Sequence, residues 1–175
     1  MIETERLILR EWQEGDAVAH NELRHDPRVA ATLGPPPSME RSRDVLARHR
    51  RDFAEFGYCI WIMEHCQKPG MIGWCGLQHG PGPVAPDVEI GWTLHPDLWG
   101  RGLATEAARA CLDWAWLNTG LTRIAAITSL GNNRSRNVML RLGMHYVEGG
   151  DFDHPALSEG DTLRRHVLYR INRPQ

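Results

Sequence analysis

Asp87–Arg109 reads DVEIGWTLHPDLWGRGLATEAAR. Val88, Ile90, Trp92 and Leu94 alternate with Asp87, Glu89, Gly91 and Thr93, the period of a half-buried strand. The strand runs into a glycine-containing turn, Trp99-Gly100-Arg101-Gly102-Leu103-Ala104. A helix follows from about Gly102 to Leu117, with Ala104, Ala107, Ala108, Cys111, Leu112 and Ala115 at helical spacing. The glycines let backbone approach a ligand closely, and a helix N-terminus offers free N–H groups and the positive end of its dipole. The combination is suited to a pyrophosphate, so a phosphate-bearing cofactor is expected.

Outward from this core, Thr4–Glu11 reads as a first strand and Asp16–Leu23 as a short helix. The run Thr32-Leu33-Gly34-Pro35-Pro36-Pro37 is a breaker, after which Ser38 caps a helix that Gly57 ends. Tyr58–Glu64 and Met71–Gln78 form a hairpin about a turn at Lys68-Pro69-Gly70, and Gly80–Pro86 is a loop. Leu121–Thr128 is a strand, and Asn132 or Asn133 caps a short helix that ends at Gly143. Met144–Glu148 and Leu163–Ile171 are closing strands around a polar loop. Strand and helix alternate only in the middle of the chain. A mixed α+β domain, 1–175, is therefore expected rather than a Rossmann fold.

The formal net charge of −2 argues against a nucleic-acid partner. Arg48-His49-Arg50-Arg51 and Arg164-Arg165-His166 read as solvated faces. Cys59, Cys66, Cys75 and Cys111 lack metal-ligand spacing and read as reduced, buried thiols of a cytoplasmic protein, which leaves a zinc site from Cys59, Cys75, His65 and His79 as the lesser alternative. No metal is expected. The charged start, Met1–Arg6, is unlike a signal peptide, and no apolar run spans a bilayer. Exposed-looking tryptophans leave two readings open, an acceptor cleft or a homodimer interface.

Three phosphate loops compete. GxxxxGK[ST] is absent, and Gly100-Arg101-Gly102 supplies only half of a dinucleotide fingerprint, because Thr105 stands at its third small position. The loop resembles that of the GNAT superfamily of acetyl-CoA-dependent N-acetyltransferases, Gln/Arg-x-x-Gly-x-Gly/Ala. It matches at Gly102 and Ala104 and departs at Trp99. The wording Trp-Gly-x-Gly-x-Ala-Thr-Glu-Ala is similar to the RimJ/RimL branch, which acetylates ribosomal-protein N-termini. Asn132–Met144, ending Leu-Gly-Met, is similar to the family's Asn-x-x-Ser/Ala helix, and the opening TERLILR also fits the branch. The resemblance implies an acyl-CoA N-acyltransferase fold: a mostly antiparallel mixed sheet of about seven strands flanked by about four helices.

It also implies the chemistry, attack of a primary amine on the acetyl thioester of acetyl-CoA. The amine would belong to a protein N-terminus or a small molecule. Gly100, Gly102, Leu103, Ala104 and Thr105 would cradle the pyrophosphate, with Arg101 as a charge-assisted contact or a plain loop arginine. Trp92, Thr93 and Leu94 would carry the pantetheine like an added strand, with the Leu94 N–H as oxyanion donor. Asn132 corresponds to the asparagine that touches the pantetheine arm, and is also an N-cap. Glu89 is chosen as the base, since burial raises a carboxyl pKa toward neutrality, with His79 and His166 as alternatives and a structural ion pair as the competing role. Met139 stands at the family's usual tyrosine, so Ser135, one turn earlier, is the candidate acid. A non-catalytic acyl-CoA-binding regulator is the alternative function.

Overall fold

The computed structural model describes residues 1–175. Its strands are β1 (Ile2–Glu3), β2 (Leu7–Arg10), β3 (Ile60–His65), β4 (Lys68–His79), β5 (Val88–Leu94), β6 (Arg123–Ser129), β7 (His145–Tyr146), β8 (Phe152–Asp153) and β9 (Arg165–Asn172). Its helices are α1 (Asp16–His25), α2 (Pro27–Leu33), α3 (Met39–Phe56), α4 (Leu103–Asn118) and α5 (Asn133–Arg141), with a 3-10 turn at Pro96–Leu98. The strands form one sheet in the order β1-β2-β3-β4-β5-β6-β9-β7, and β8 joins it through β9.

The sheet is mixed α/β and mostly antiparallel, as expected, but it has nine strands and five helices rather than about seven and four. The additional strands are the two-residue pieces β1 and β8, each defined by its partner rather than by a pattern of its own, while the expected strand Met144–Glu148 shortens to β7. The additional helix is α2. Asp26 caps it by accepting from the Arg28 N–H, and Pro27 stands in its first turn. The hairpin turn falls at Cys66-Gln67, because β4 begins at Lys68 opposite His65. Cys66 is consequently exposed, while Cys59, Cys75 and Cys111 are buried.

Alternation sends the two sides of the sheet to different layers. Leu7, Leu9, Trp61, Met63, Cys75, Leu77, Val88 and Ile90 pack on the Ala107, Ala108, Cys111, Leu112 and Ala115 face of α4 in the main core. The small α4 residues let that helix lie close against the strands. On the opposite side, Ile62 packs with Trp12, Ala17 and Leu46 beneath α1 and α3. Glu89 belongs to this second side, where its strand partner is Gln78.

One junction governs the site. β5 and β6 are the parallel pair, and their ladder consists of Val88↔Ile124 and Glu89↔Ala125 alone. Beyond Glu89 the strands part, while β5 stays paired with β4 as far as Leu94 and β6 with β9 as far as Ser129. The closed end of this fork is clamped by Asp87. Its carboxylate accepts from Arg123 at 2.6 and 2.9 Å and from Arg170 at 2.8 Å, joining β5 to β6 and β9.

Asp87 is buried, whereas the Arg123 and Arg170 side chains keep 44% and 30% of their exposure. The stranded arginines would therefore regain water if the acid were lost. Asp87→Ala is expected to cost about 2–3 kcal/mol, below the full penalty of a buried unpaired charge, and Arg123→Ala below about 1 kcal/mol. Urea unfolding of the two variants checks both the size and the order.

Candidate active site

The fork opens into a cleft of about 670 Å³ that runs from the α4 N-terminus, along β5, to the wall formed by α1 and α3. Its backbone edge follows from ladder alternation. The His95 N–H donates to the Ile72 carbonyl at 2.8 Å, which makes that pair hydrogen-bonded and Gly73↔Leu94 and Cys75↔Trp92 non-hydrogen-bonded. The N–H groups of Trp92 and Leu94 thus point away from β4. β6 has already diverged, so they face the cleft without a strand partner. Trp92, Thr93 and Leu94 all line it.

At the end of β5, Trp99 donates its indole N–H to the Leu94 carbonyl at 2.8 Å, and the Arg134 guanidinium lies 4.5 Å from the Trp99 ring centre. The departure from the family loop is thus a side chain that ties the turn to the strand. Gly100 and Gly102 adopt left-handed φ of 77° and 80°. Gly102 is the N-cap of α4 and supplies no side-chain acceptor, whereas Asp26, Ser38 and Asn132 cap α2, α3 and α5. The first N–H groups of α4 are left for an external anion at the positive end of the helix dipole.

Glu106, an acid in that first turn, would oppose an anion. It is neutralised from the N-terminal strand: Thr4 Oγ1 donates to it at 2.6 Å, and the Arg6 N–H and Nε donate at 3.0 and 2.7 Å. Arg6 Nη1 also donates to the Arg101 carbonyl at 3.1 Å, holding the turn itself. Thr4, Arg6 and Glu106 belong to no site motif in the sequence. Their pairing across the fold leaves no local signature.

Among the expected cofactor residues, Trp99, Gly100, Gly102, Leu103, Ala104, Thr105 and Asn132 also line the cleft, as does Ser135. Arg101 does not; its side chain is exposed, and only its carbonyl is engaged. Asn132 Oδ1 accepts the Ser135 N–H at 3.2 Å, so Asn132 is a true N-cap at the cleft wall. Met139 is buried in the main core and does not reach the cleft, whereas Ser135 and Val138 do.

Glu89 sits at the apex of the fork, 7% exposed, and is the one acid lining the cleft. Burial pushes its carboxyl up to about 7, opposed by a weak hydrogen bond from Gln78 Nε2 at 3.4 Å. No arginine or lysine pairs with it, so it is not a structural ion pair. Above it, Trp12 stacks on His49 with ring centres 5.4 Å apart, and His20 lies 4.9 Å from Trp74. Burial pushes His20 down to about 4 and His49 to about 3, which keeps these two rings neutral at physiological pH.

His79 and His166 line an adjoining recess that reaches Glu89 and Gln78. The tryptophans are not exposed: Trp12, Trp74, Trp92 and Trp99 line the cleft instead. Of Arg48-His49-Arg50-Arg51, the three arginines are exposed as expected and only His49 turns inward; Arg48 lies where that solvated face meets the cleft. No group of three or more His, Cys, Asp or Glu side chains is arranged to hold a metal ion. No helix is long and apolar enough to cross a membrane.

A forked mixed sheet with an uncapped helix N-terminus beside the fork is the fold of an acyl-CoA N-acyltransferase, and comparison with known proteins agrees. Residues 6–145 match the Acetyltransferase (GNAT) domain model, and the chain belongs to that family of N-acetyltransferase enzymes. It is 31% identical over 144 residues to the uncharacterized protein YkkB of Bacillus subtilis (strain 168), covering 82% of this chain and 84% of that one. An acetyltransferase structure from Agrobacterium tumefaciens str. C58 superposes with a TM-score of 0.79 at 28% identity, covering 98% of this chain and 93% of the other. The fold likeness extends to RimL, a ribosomal L7/L12 alpha-N-protein acetyltransferase solved with coenzyme A, with a TM-score of 0.77 at 18% identity, covering 97% of this chain and 95% of that one.

The left-handed Gly102 sets the direction of the free α4 N–H groups. Gly102→Ala strains that conformation by about 1–2 kcal/mol, and acetyl-CoA affinity is expected to fall roughly tenfold by calorimetry. Gly57→Ala, equally left-handed at the far end of α3, is the control and should leave that affinity unchanged.

Proposed function

We propose that the chain, as one domain over 1–175, transfers the acetyl group of acetyl-CoA to a primary amine by direct attack in a ternary complex. The single observation that carries this reading is the position of Glu89, a nearly buried acid with no cationic partner at the apex of the fork. The residues fit the co-substrate. The pyrophosphate would lie on the Gly102–Thr105 backbone, and the pantetheine arm would extend along Trp92–Leu94 as an added strand, with Asn132 on its other side.

Strand geometry refines the oxyanion donor. At about 3.3 Å per residue, Trp92 lies about 10 Å along β5 from Glu89 and Leu94 about 17 Å. The Trp92 N–H, rather than that of Leu94, is therefore the donor near enough to an amine activated at Glu89. The Leu94 N–H is left to an amide of the pantetheine arm. Glu89 takes the amine proton, directly or through water, as the nitrogen attacks the thioester carbon. The tetrahedral oxyanion is held by backbone N–H while the C–S bond breaks. Ser135, on the α5 wall, supplies the proton to the departing thiolate.

The raised Glu89 pKa has two opposite consequences. The base acts as a carboxylate, so kcat/KM should climb as pH rises through about 7 and be lost below it. Folding responds the other way. The open chain releases this proton near 4.5 and the folded protein only near 7, so the unfolded state binds fewer protons between them and stability falls as pH rises across that window. Glu89→Gln should therefore lower turnover by about 10²–10⁴-fold. It should leave acetyl-CoA affinity intact and raise the melting temperature at pH 8 above that of the parent. Full activity in this variant would refute the assignment.

A further inference from the structure

The wall facing Glu89 is built with more positive charge than an amine substrate needs. Arg41 and Arg48, with Val45 and His49, occupy one face of α3 at helical spacing, and Arg24, one turn beyond His20, projects from α1. All three arginines line the cleft. Arg24 donates to the carbonyls of Leu33, Gly34 and Pro35 at 3.3, 3.5 and 3.0 Å, which are neutral acceptors. Arg48 has one hydrogen-bond partner, His49 Nε2 at 3.3 Å. Neither forms a salt bridge, and Arg41 reaches only Asp44, at 3.8 Å on an open surface. The other nearby acid, Asp52, lies 3.6 Å from His49.

Arg24 thus has no counter-charge within the protein, and Arg48 has only the field of Asp52, one turn further along α3. Partial burial lowers the Arg24 pKa, and its hydrogen-bond acceptors are all neutral carbonyls. Glu89 is the one acid in the cleft and must be free to take a proton. A polycationic amine would set its extra charges against three guanidinium groups. A group of opposite sign would gain from each of them, and arginine forks suit planar or tetrahedral oxyanions.

We propose that the acceptor amine carries a second, anionic group, a carboxylate or a phosphate, which docks against Arg24 and Arg48 with Arg41 at the rim. The anion would hold the molecule by its far end and turn the amine toward Glu89. This rests on the acetyl-transfer reading above and names the class of acceptor for that site.

Matched acceptors test it: β-alanine against its amide, O-phosphoethanolamine against ethanolamine, and spermidine as the polycation. The anionic member of at least one pair should exceed its neutral partner by roughly tenfold or more in kcat/KM. The pair that responds tells carboxylate from phosphate. Arg48→Gln breaks no loop hydrogen bond and should collapse that ratio while acetyl-CoA affinity is kept; Arg24→Gln should do the same, with its melting temperature followed because it also releases the Leu33–Pro35 carbonyls. Calorimetry of the CoA-saturated protein with malonate and with inorganic phosphate reads the anion site without turnover, and Arg48→Gln should abolish the heat. Acetylation with equal preference for neutral and anionic acceptors, or with preference for spermidine, overturns the anion site and leaves acetyl transfer standing. Anion binding lost in Arg48→Gln, with none of the amines acetylated, upholds the anion site and overturns acetyl transfer.

Discussion

The parting of β5 from β6 after Glu89 is the constraint on which the rest of the molecule depends. A sheet normally satisfies every interior N–H and C=O through its neighbours. Here the parallel ladder stops after Val88 and Glu89, and β5 continues for five residues with a partner on one side only. That exposed edge lies inside the domain rather than at its rim. It is flanked by α4 and α5 on one side and by α1 and α3 on the other. An extended polar chain with amides of its own is the ligand that such an edge is made to accept. Asp87, held by Arg123 and Arg170, fixes where the parting begins and therefore where Glu89 stands.

Electrostatics divides the cleft into two ends. At the α4 end the charge is backbone charge: free N–H groups and the helix dipole, kept effective because Arg6 and Thr4 occupy the carboxylate of Glu106. At the α1 and α3 end the charge is carried by arginine side chains, while His20 and His49 are held neutral by burial. Between the two lies Glu89, whose proton affinity is set by exclusion of water and not by a charged neighbour. The same burial that would prepare it for the proposed role of base also makes it a source of instability above neutral pH.

Features encoded locally were legible in the sequence. The alternation of Val88–Leu94, the glycines of the turn, the small-residue face of α4 and the Asn132 cap each depend on residues within a few positions of one another. The resemblance of the loop and the Asn132 helix supplied the family. Features made by pairing were not legible. The two-residue strands β1 and β8 exist only through their partners, and the point where the fork opens depends on residues 36 positions apart, Val88 with Ile124 and Glu89 with Ala125. Asp26-Pro27 is a helix-start signal, but PRVAATL is too short to show a period. The wall over Glu89 was hidden for the same reason: Arg48-His49-Arg50-Arg51 reads as a solvated face, and that His49 alone turns inward while Arg48 meets the cleft shows only once α3 lies over the sheet.

The central claim is that the one-sided edge of β5 and the uncapped start of α4 together hold acetyl-CoA. Amide hydrogen exchange, followed residue by residue with and without that molecule, measures those N–H groups directly. The account predicts strong slowing at Trp92, Leu94 and Leu103–Thr105, with little change at the already paired Gly91 and Thr93. Slowing confined to other parts of the chain, or absent from the Trp92 and Leu94 amides at saturating acetyl-CoA, would contradict it.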